Sequence, residues 1–344
     1  MSKKVKIGNL VIGGGERIAV QSMATVRPSD ANAVSQAEEL KNVGCDILRF
    51  SVNDEKDALA FSKIKKAVDI PLVADIHFDF KLALLAISGG ADKIRINPGN
   101  IGGDDKVKLV AEALKDKGLP VRVGANTGSI EKDFLAKYGR GHIALAESAL
   151  RQVALLEKFG VNDIVVSVKA SDVKTTVNAY RYIAAKTDHP LHLGVTEAGT
   201  EYRGTIKNAV AMGALLSDGI GDTLRVSLSA PPVREVIAAK TILSSLGLIK
   251  TPDLIACPTC GRCEWDCMAF AEKTERYLQT INAPIKVAVM GCVVNGPGEG
   301  KDADVGVAGA KDGCVIFAHG EIVKKVKKED VEKEFFAEID KCIR

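Results

Sequence analysis

Eight times between residues 17 and 248 the sequence repeats one phrase: a short β-branched run, a polar tip, then an Ala/Leu/Lys-rich stretch with helical periodicity. The runs fall at 17–23, 46–52, 72–77, 93–97, 121–126, 163–169, 191–197 and 223–228, and helical stretches follow them, as at 54–68, 107–117, 144–159, 172–186 and 233–246. Alternating β and α elements predict a parallel sheet. Eight repeats in roughly 250 residues is the size of a closed (β/α)8 TIM barrel. The open alternative is a doubly wound sheet, which would carry its glycine-rich turn after the first strand. Here Gly13-Gly14-Gly15 precedes the first repeat, so it is not a dinucleotide-binding turn and is expected to form an N-terminal hairpin.

Beyond a connector at 249–255 the pattern changes. A Cys-rich loop leads to a predicted helix at 264–280, a strand at 285–290 and a Gly-rich loop. Short strands near 305–307, 314–317 and 321–326 and a charged C-terminal helix follow. The expected whole is an α/β protein, with a substrate-binding barrel over residues 1–248 and a small α+β domain over 249–344. With 344 residues at 46% apolar content there is enough to bury one large core and one small one. The small domain is short enough to need cross-linking, which a metal cluster would supply. The formal charge of +3 comes from interspersed acids and bases, with no basic block of the kind that grips nucleic acid. No apolar run approaches the roughly 20 residues of a membrane span, and the polar N-terminus has no signal core. A cytoplasmic protein with neither nucleic acid nor membrane as partner is expected.

In such barrels the reactive groups lie at the C-terminal ends of the strands. The eight runs end in Gln21 and Ser22, Arg49 and Ser51, Asp75 and His77, Arg95 and Asn97, Arg122 and Asn126, Ser167 and Lys169, Glu197, and Arg225 and Ser227. Residues two apart share a face, so the pairs Arg49/Ser51, Arg95/Asn97, Ser167/Lys169 and Arg225/Ser227 should point into the barrel. Four arginines and a lysine at one dry mouth repel each other unless an anion sits among them, and Arg forks suit phosphate oxygens bidentately. A diphosphate is the economical ligand, and Asp75 and His77 count among the substrate-binding candidates. The loop from Asn97 to Gly103, opening onto a helix, is expected to add backbone N–H donors. The alternative is a set of ion pairs with Asp75 and Glu197, but five bases to two acids fit that poorly. His77 alone reads equally well as a structural histidine.

Seven of the eight cysteines fall in the last quarter, with Cys45 alone before them. In the cytoplasm they are expected to be thiols. The run Cys257, Cys260, Cys263, Cys267 has ferredoxin-like spacing and on that reading supplies three or four ligands. Against it, Cys263 and Cys267 open what reads as a helix, and Met268 follows where the ferredoxin pattern has proline. The competing third ligand is Cys292, at a strand end running into the glycine-proline loop Asn295-Gly-Pro-Gly-Glu299, where Glu299 would be an acceptable hard fourth ligand. A zinc site from the same cysteines is the alternative, and the chain would then be a zinc-stabilised phosphate-binding barrel without redox activity. A radical enzyme using S-adenosylmethionine would place three spaced cysteines early in the barrel, where only Cys45 stands. Cys45, Cys314 and Cys342 are expected to be small buried hydrophobes or incidental thiols.

Taken together, Ala19-Val-Gln-Ser-Met23, Val73-Ala-Asp-Ile-His-Phe-Asp79, Arg95-Ile-Asn-Pro-Gly-Asn-Ile-Gly102, Ser167-Val-Lys-Ala-Ser-Asp172, Thr196-Glu-Ala-Gly199, Thr223-Leu-Arg-Val-Ser-Leu228, Cys257-Pro-Thr-Cys260 and Gly291-Cys-Val-Val-Asn-Gly-Pro-Gly-Glu299 closely resemble the 4-hydroxy-3-methylbut-2-enyl diphosphate synthase family. These are the iron–sulfur enzymes of the non-mevalonate isoprenoid pathway. The resemblance runs in order through nearly the whole chain and fades after about Val307. It implies reductive ring opening of 2-C-methyl-D-erythritol 2,4-cyclodiphosphate to 4-hydroxy-3-methylbut-2-enyl diphosphate, with two electrons passing through a [4Fe–4S] cluster from flavodoxin or ferredoxin. It implies Cys257, Cys260, Cys292 and Glu299 as cluster ligands, and Cys263 and Cys267 are departures from the usual pattern. The family's diphosphate contacts match Arg49, Arg95, Arg122, Asn126, Lys169, Arg225 and Ser227. Glu197 and Asn295 match groups near the reacting end, where Glu197 is expected to donate the proton that removes an oxygen as water. The short connector resembles the compact bacterial form, which implies a head-to-tail homodimer with one subunit's cluster domain capping the other's barrel.

Overall fold

Each apolar run of the repeat becomes a strand because its β-branched residues pack on both faces of a sheet wrapped by helices. The computed structural model describes residues 1–343 except Asn282 and Asn295, and the side chains of Pro297 and Glu299 also fall outside the description. The chain divides into two units, Met1–Leu248 and Ile249–Arg344.

The first unit opens on a hairpin of β1 (Val5–Ile7) and β2 (Leu10–Ile12). The barrel strands are β3 (Ala19–Met23), β4 (Ile47–Ser51), β5 (Leu72–Asp75), β6 (Lys93–Ile96), β7 (Val121–Asn126), β8 (Ile164–Lys169), β9 (His192–Leu193) and β10 (Thr223–Leu224). They hydrogen-bond in the order β8-β7-β6-β5-β4-β3-β10-β9, every neighbouring pair parallel, and a parallel bridge from Val166 to Leu191 joins the two ends. This is the predicted barrel. Helices cover its outside, for example Asp104–Lys117, whose first turn is acidic, whose last is basic, and which stops at Gly118 in the left-handed region.

Three local expectations change. The hairpin turns at Gly8-Asn9, and Gly13-Gly14-Gly15 follow its second strand with φ of 76°, 61° and 82°. Val5, Ile7 and Ile12 of the hairpin pack on Ala19, Ile47, Val73 and Val165, so the hairpin plugs the N-terminal end of the barrel. The last two strands are shorter than the runs at 191–197 and 223–228, because the backbone beyond them finds other partners: Leu228 N–H donates to the Glu235 carboxylate and Ser229 N–H to Gly199 O. The helix expected at 54–68 is two helices, Glu55–Leu59 and Phe61–Ala67, meeting at Ala60.

The second unit is a five-stranded sheet in the order β11 (Asp253–Ala256), β12 (Lys286–Met290), β13 (Val305–Ala310), β14 (Gly313–Ala318), β15 (Glu321–Val326). The first three run parallel and the last two antiparallel. β11 lies where the sequence reads as connector. Residues Val287, Val289, Val305, Val307 and Ile316 on one sheet face form a core with Phe270, Phe335 and Ile339 of the helices Cys267–Leu278 and Val331–Cys342. No described helix is long and apolar enough to cross a membrane.

Candidate active site

Register places the charges. Ser51 pairs with Asp75, Asp75 with Arg95 and Arg95 with Arg122, so these side chains line up at one level on the inner face. At the C-terminal strand ends they surround a cavity of about 240 Å3 lined by Arg49, Asp75, His77, Arg95, Arg122, Asn126, Ser167, Lys169, Arg225 and Ser227, together with Met23, Gly124 and Thr196. That volume is below the ~300–1,000 Å3 of drug-sized ligand sites and suits a small metabolite. A larger cavity of about 780 Å3 lies at the opposite, N-terminal face beside His189 and Asp222. It mixes both signs of charge and sits on the face that serves stability in such barrels.

Asp75, 3% exposed, binds Arg95 at 3.0 Å and Arg49 at 3.5 Å. Burial works against its charge, but the two guanidinium groups win and hold its carboxyl at about 2. Arg49 also donates to Met23 Sδ at 2.7 and 3.0 Å. Arg225 is gripped bidentately by Glu235, at 2.9 and 3.1 Å. Arg122 has no such acid: it is 2% exposed, and its Nε and Nη1 have no hydrogen-bond partner among the described residues. Burial, reinforced by neighbouring cations, pushes Arg122 and Lys169 well below their ordinary ranges and Arg49 to about 10. A guanidinium does not deprotonate in a protein. Four guanidinium groups against Asp75 and Glu235 leave a surplus of two positive charges before Lys169 is counted, and that surplus calls for an anion. Gly194 lets the Lys169 stem lie across the wall, since a Cβ there would meet Nζ at 2.8 Å.

The second acid of the mouth is Glu235, on the helix Pro232–Ser245, rather than Glu197. The strand-tip rule misses it, but a signal exists. Glu235 falls within the apolar stripe Pro232, Val236, Ala239 and Leu243 that the helix buries. Glu197 is exposed, stands outside the cavity lining and has a left-handed backbone with φ of 51°. The cavity does not include the loop from Asn97 to Gly103, and the helix after it carries Asp104 and Asp105 in its first turn, which oppose an anion there. Below the cavity, Lys93 is fully buried with its Nζ unpartnered among the described residues, a group the strand-tip rule also misses.

In the second unit Cys257, Cys260 and Cys292 line a cavity of about 160 Å3. Cys257 follows β11 and its N–H donates to Val289 O at 2.9 Å. Thr259, between Cys257 and Cys260, takes φ of 59°, unusual for a β-branched residue, and so turns the chain between the two thiols. Cys292 follows β12, with Gly291 and Gly296 also on the cavity wall. Cys263 and Cys267 do not line it; Cys267 begins a helix, is 1% exposed, and its thiol is pushed up to about 12 by burial and by the neighbouring cysteines. Among the described residues no three His, Cys, Asp or Glu groups close round a point as one metal ion requires. Asn295 and the Glu299 side chain lie outside the described residues. Cys45 and Cys314 are buried and Cys342 is exposed.

A closed parallel barrel with a cationic mouth, joined to a unit whose thiols ring a separate cavity, defines a (β/α)8-barrel enzyme with an appended cysteine domain. Family models named GcpE TIM-barrel domain and GcpE protein C-terminal domain match residues 2–240 and 253–341, and the chain belongs to the GcpE family. It is 52% identical over 343 residues to the 4-hydroxy-3-methylbut-2-en-1-yl diphosphate synthase (flavodoxin) of Geobacillus thermodenitrificans, covering 99% of this chain and 92% of the relative. The protein of the same name from Caldanaerobacter subterraneus is 52% identical over 347 residues, covering 100% and 98%. Among solved structures, dihydropteroate synthase from Xanthomonas albilineans in complex with 7,8-dihydropteroate matches 72% of this chain and all of its own, at a TM-score of 0.52 and 14% identity, a likeness of fold alone.

Proposed function

We propose that this chain carries out the reaction of its named relatives: reductive ring opening and dehydroxylation of 2-C-methyl-D-erythritol 2,4-cyclodiphosphate to 4-hydroxy-3-methylbut-2-enyl diphosphate, in the non-mevalonate route to isoprenoids, with electrons from flavodoxin. Family membership over both units supports an enzyme of this kind, and the non-redox zinc alternative finds no support among the relatives. The observation that carries the substrate assignment is Arg122, a buried guanidinium with two unmet nitrogens in a mouth whose arginines exceed its acids by two.

In this reading Arg49, Arg95, Arg122 and Lys169 hold the diphosphate oxygens. Asp75 stays ionised and keeps Arg49 and Arg95 aimed, while Glu235 does the same for Arg225. Asn126, Ser227 and His77 add further polar donors at the rim. Such a preset array needs little reorganisation when the charged ligand arrives. Glu197, exposed beyond the rim, donates a proton to the departing hydroxyl.

The cysteine cavity fits a [4Fe–4S] cluster: three soft thiol donors ring a space wider than one ion, and glycines let the backbone approach. Cys257, Cys260 and Cys292 would hold it, with the Glu299 carboxylate as fourth ligand and Asn295 near the reacting end. When bound, the cluster supplies the two electrons of the reduction. A homodimer then brings the cluster unit of one subunit to the barrel of the other.

The test is anaerobic assay of brown, iron-loaded protein with the cyclic diphosphate and a strong one-electron reductant, product being followed by mass spectrometry. Formation of the hydroxylated diphosphate supports the reading. Colourless, zinc-containing protein with unchanged substrate would sink it.

A further inference from the structure

Cys263 and Cys267 stand outside the proposed ligand set, yet the Cys263 thiol, hydrogen-bonded to the Cys267 thiol on its inner side, lies beside that set on its outer side. A methyl group built on Gly291 would lie 3.0 Å from Cys263 Sγ and 3.5 Å from Cys257 Sγ, so the two sulfurs flank one Cα and face each other across the space its missing side chain leaves. The backbone fixes this approach: Cys263 N–H donates to Cys260 O at 3.0 Å, and Glu264 N–H to Gly291 O at 3.0 Å. The Trp265 indole N–H donates to Met290 O at 3.0 Å and clamps the loop onto β12. Cys263 Sγ donates to Trp265 O at 3.1 Å. Cys257 and Cys263 are both half-buried, within reach of a small solute, whereas Cys267 is sealed in the core.

We propose that Cys263 is a resolving thiol for Cys257, a redox-modification pair that preserves the cluster site when the cluster has been lost. The proposal rests on the reading of Cys257 as a ligand. Hydrogen peroxide oxidises the half-buried Cys257 thiol to a sulfenic acid and leaves as water. Cys263 attacks that sulfur, forming the Cys257–Cys263 disulfide and releasing a second water. Two electrons pass from the two thiols to the peroxide. A dithiol reductant then returns both thiols by exchange and leaves Cys257 ready to bind again. Without Cys263 the sulfenic acid meets a second peroxide and becomes a sulfinic acid, which ordinary thiols do not reverse. Cys267 meets Cys263 from the core side but stays reduced, because its sulfur lies away from solvent against Val289 O at 3.7 Å and peroxide does not reach it.

The experiment uses full-length protein purified anaerobically, stripped of iron by a chelator and exposed to a several-fold molar excess of hydrogen peroxide, enough to carry an unresolved sulfenic acid on to sulfinic acid. Peptide mapping by mass spectrometry then scores every cysteine. Wild type is expected to carry a Cys257–Cys263 cross-link and, after reduction with dithiothreitol, to regain iron and sulfide to near the unexposed level. Cys263→Ser should take up iron normally before exposure, carry sulfinic acid on Cys257 after it, and regain several-fold less iron. Cys267→Ser should behave as wild type and controls for loss of packing. A dominant cross-link of Cys257 to Cys260 or Cys292, a Cys263–Cys267 cross-link, or equal sulfinic acid on Cys257 with and without Cys263 overturns the proposal. So does a Cys263→Ser protein that binds no iron before exposure, since Cys263 would then be a ligand. Wild type that never binds iron sinks the cluster reading alone, because the cross-link is scored without iron.

Discussion

The barrel mouth and the thiol cavity hold their reactive groups by opposite means. In the mouth each cation stands on a barrel strand or directly after one, its neighbours set by ladder register, and Asp75 and Glu235 tie Arg49, Arg95 and Arg225 in place. In the thiol cavity Cys257 and Cys260 flank a turn at Thr259, and Cys292 enters a glycine-rich loop. Groups held by ladders and ion pairs are in position before a ligand comes. Thiols held by turns take much of their order from what they bind. The barrel mouth is thus a preset electrostatic site, whereas the thiol cavity is one that a bound group would complete.

The sharpest break of that contrast is Cys292→Ala. It should abolish cluster content and turnover, read by iron analysis and visible absorption, while calorimetric binding of inorganic diphosphate to the barrel stays within about twofold, a difference of ~0.4 kcal/mol. Equal loss of both would mean that the two sites are not separate. Arg122→Met comes next. It removes two unmet charged donors, so diphosphate affinity should fall by roughly 2–3 kcal/mol, about 30- to 150-fold, with cluster content unchanged. Full retention of affinity would place the anion elsewhere. Glu197→Gln should leave the cluster spectrum intact and slow turnover by about 100-fold. Normal turnover removes Glu197 from the proton-donor role.

Acid should reach the mouth late, after carboxylates of ordinary value have taken up their protons. The Asp75 carboxyl sits at about 2 in the folded chain, below its unfolded value near 3.8. Its contribution, on the order of 2 kcal/mol, is therefore complete above about pH 4 and is lost as pH falls toward 2. Urea midpoints at pH 5 and pH 2.5 should converge for wild type and Asp75→Asn at the lower pH, and parallel lines would deny the ion pairs any role in stability. The smallest effect belongs to Lys93→Met. An unpartnered buried amine contributes little, so stability should change by less than about 1 kcal/mol and in either direction. A loss above about 2 kcal/mol in thermal unfolding would reveal a partner for Nζ.

The barrel was legible because its signal is periodic, and the mouth was legible because a period of two assigns Arg49, Arg95, Arg122, Lys169 and Arg225 to one face with no distance needed. Glu235 was not, because it reaches the mouth from a helix, and only its place in a buried stripe hints at it. The hairpin was legible but its turn was not, since four glycines compete for the role and packing at the barrel floor chooses Gly8. β11 escaped notice because four residues carry too little pattern to stand out from a connector.

By itself the sequence determined the repeat, the faces of the strands and the family to which its motifs point, all of which follow from short-range spacing along the chain. Only the tertiary structure decided which acids answer which bases, where the last two strands stop, and that Cys263 and Cys257 flank Gly291 while Cys267 backs Cys263 from the core. Those outcomes depend on contacts between residues far apart in the chain, and spacing carries no information about such contacts until the sheet has brought them together.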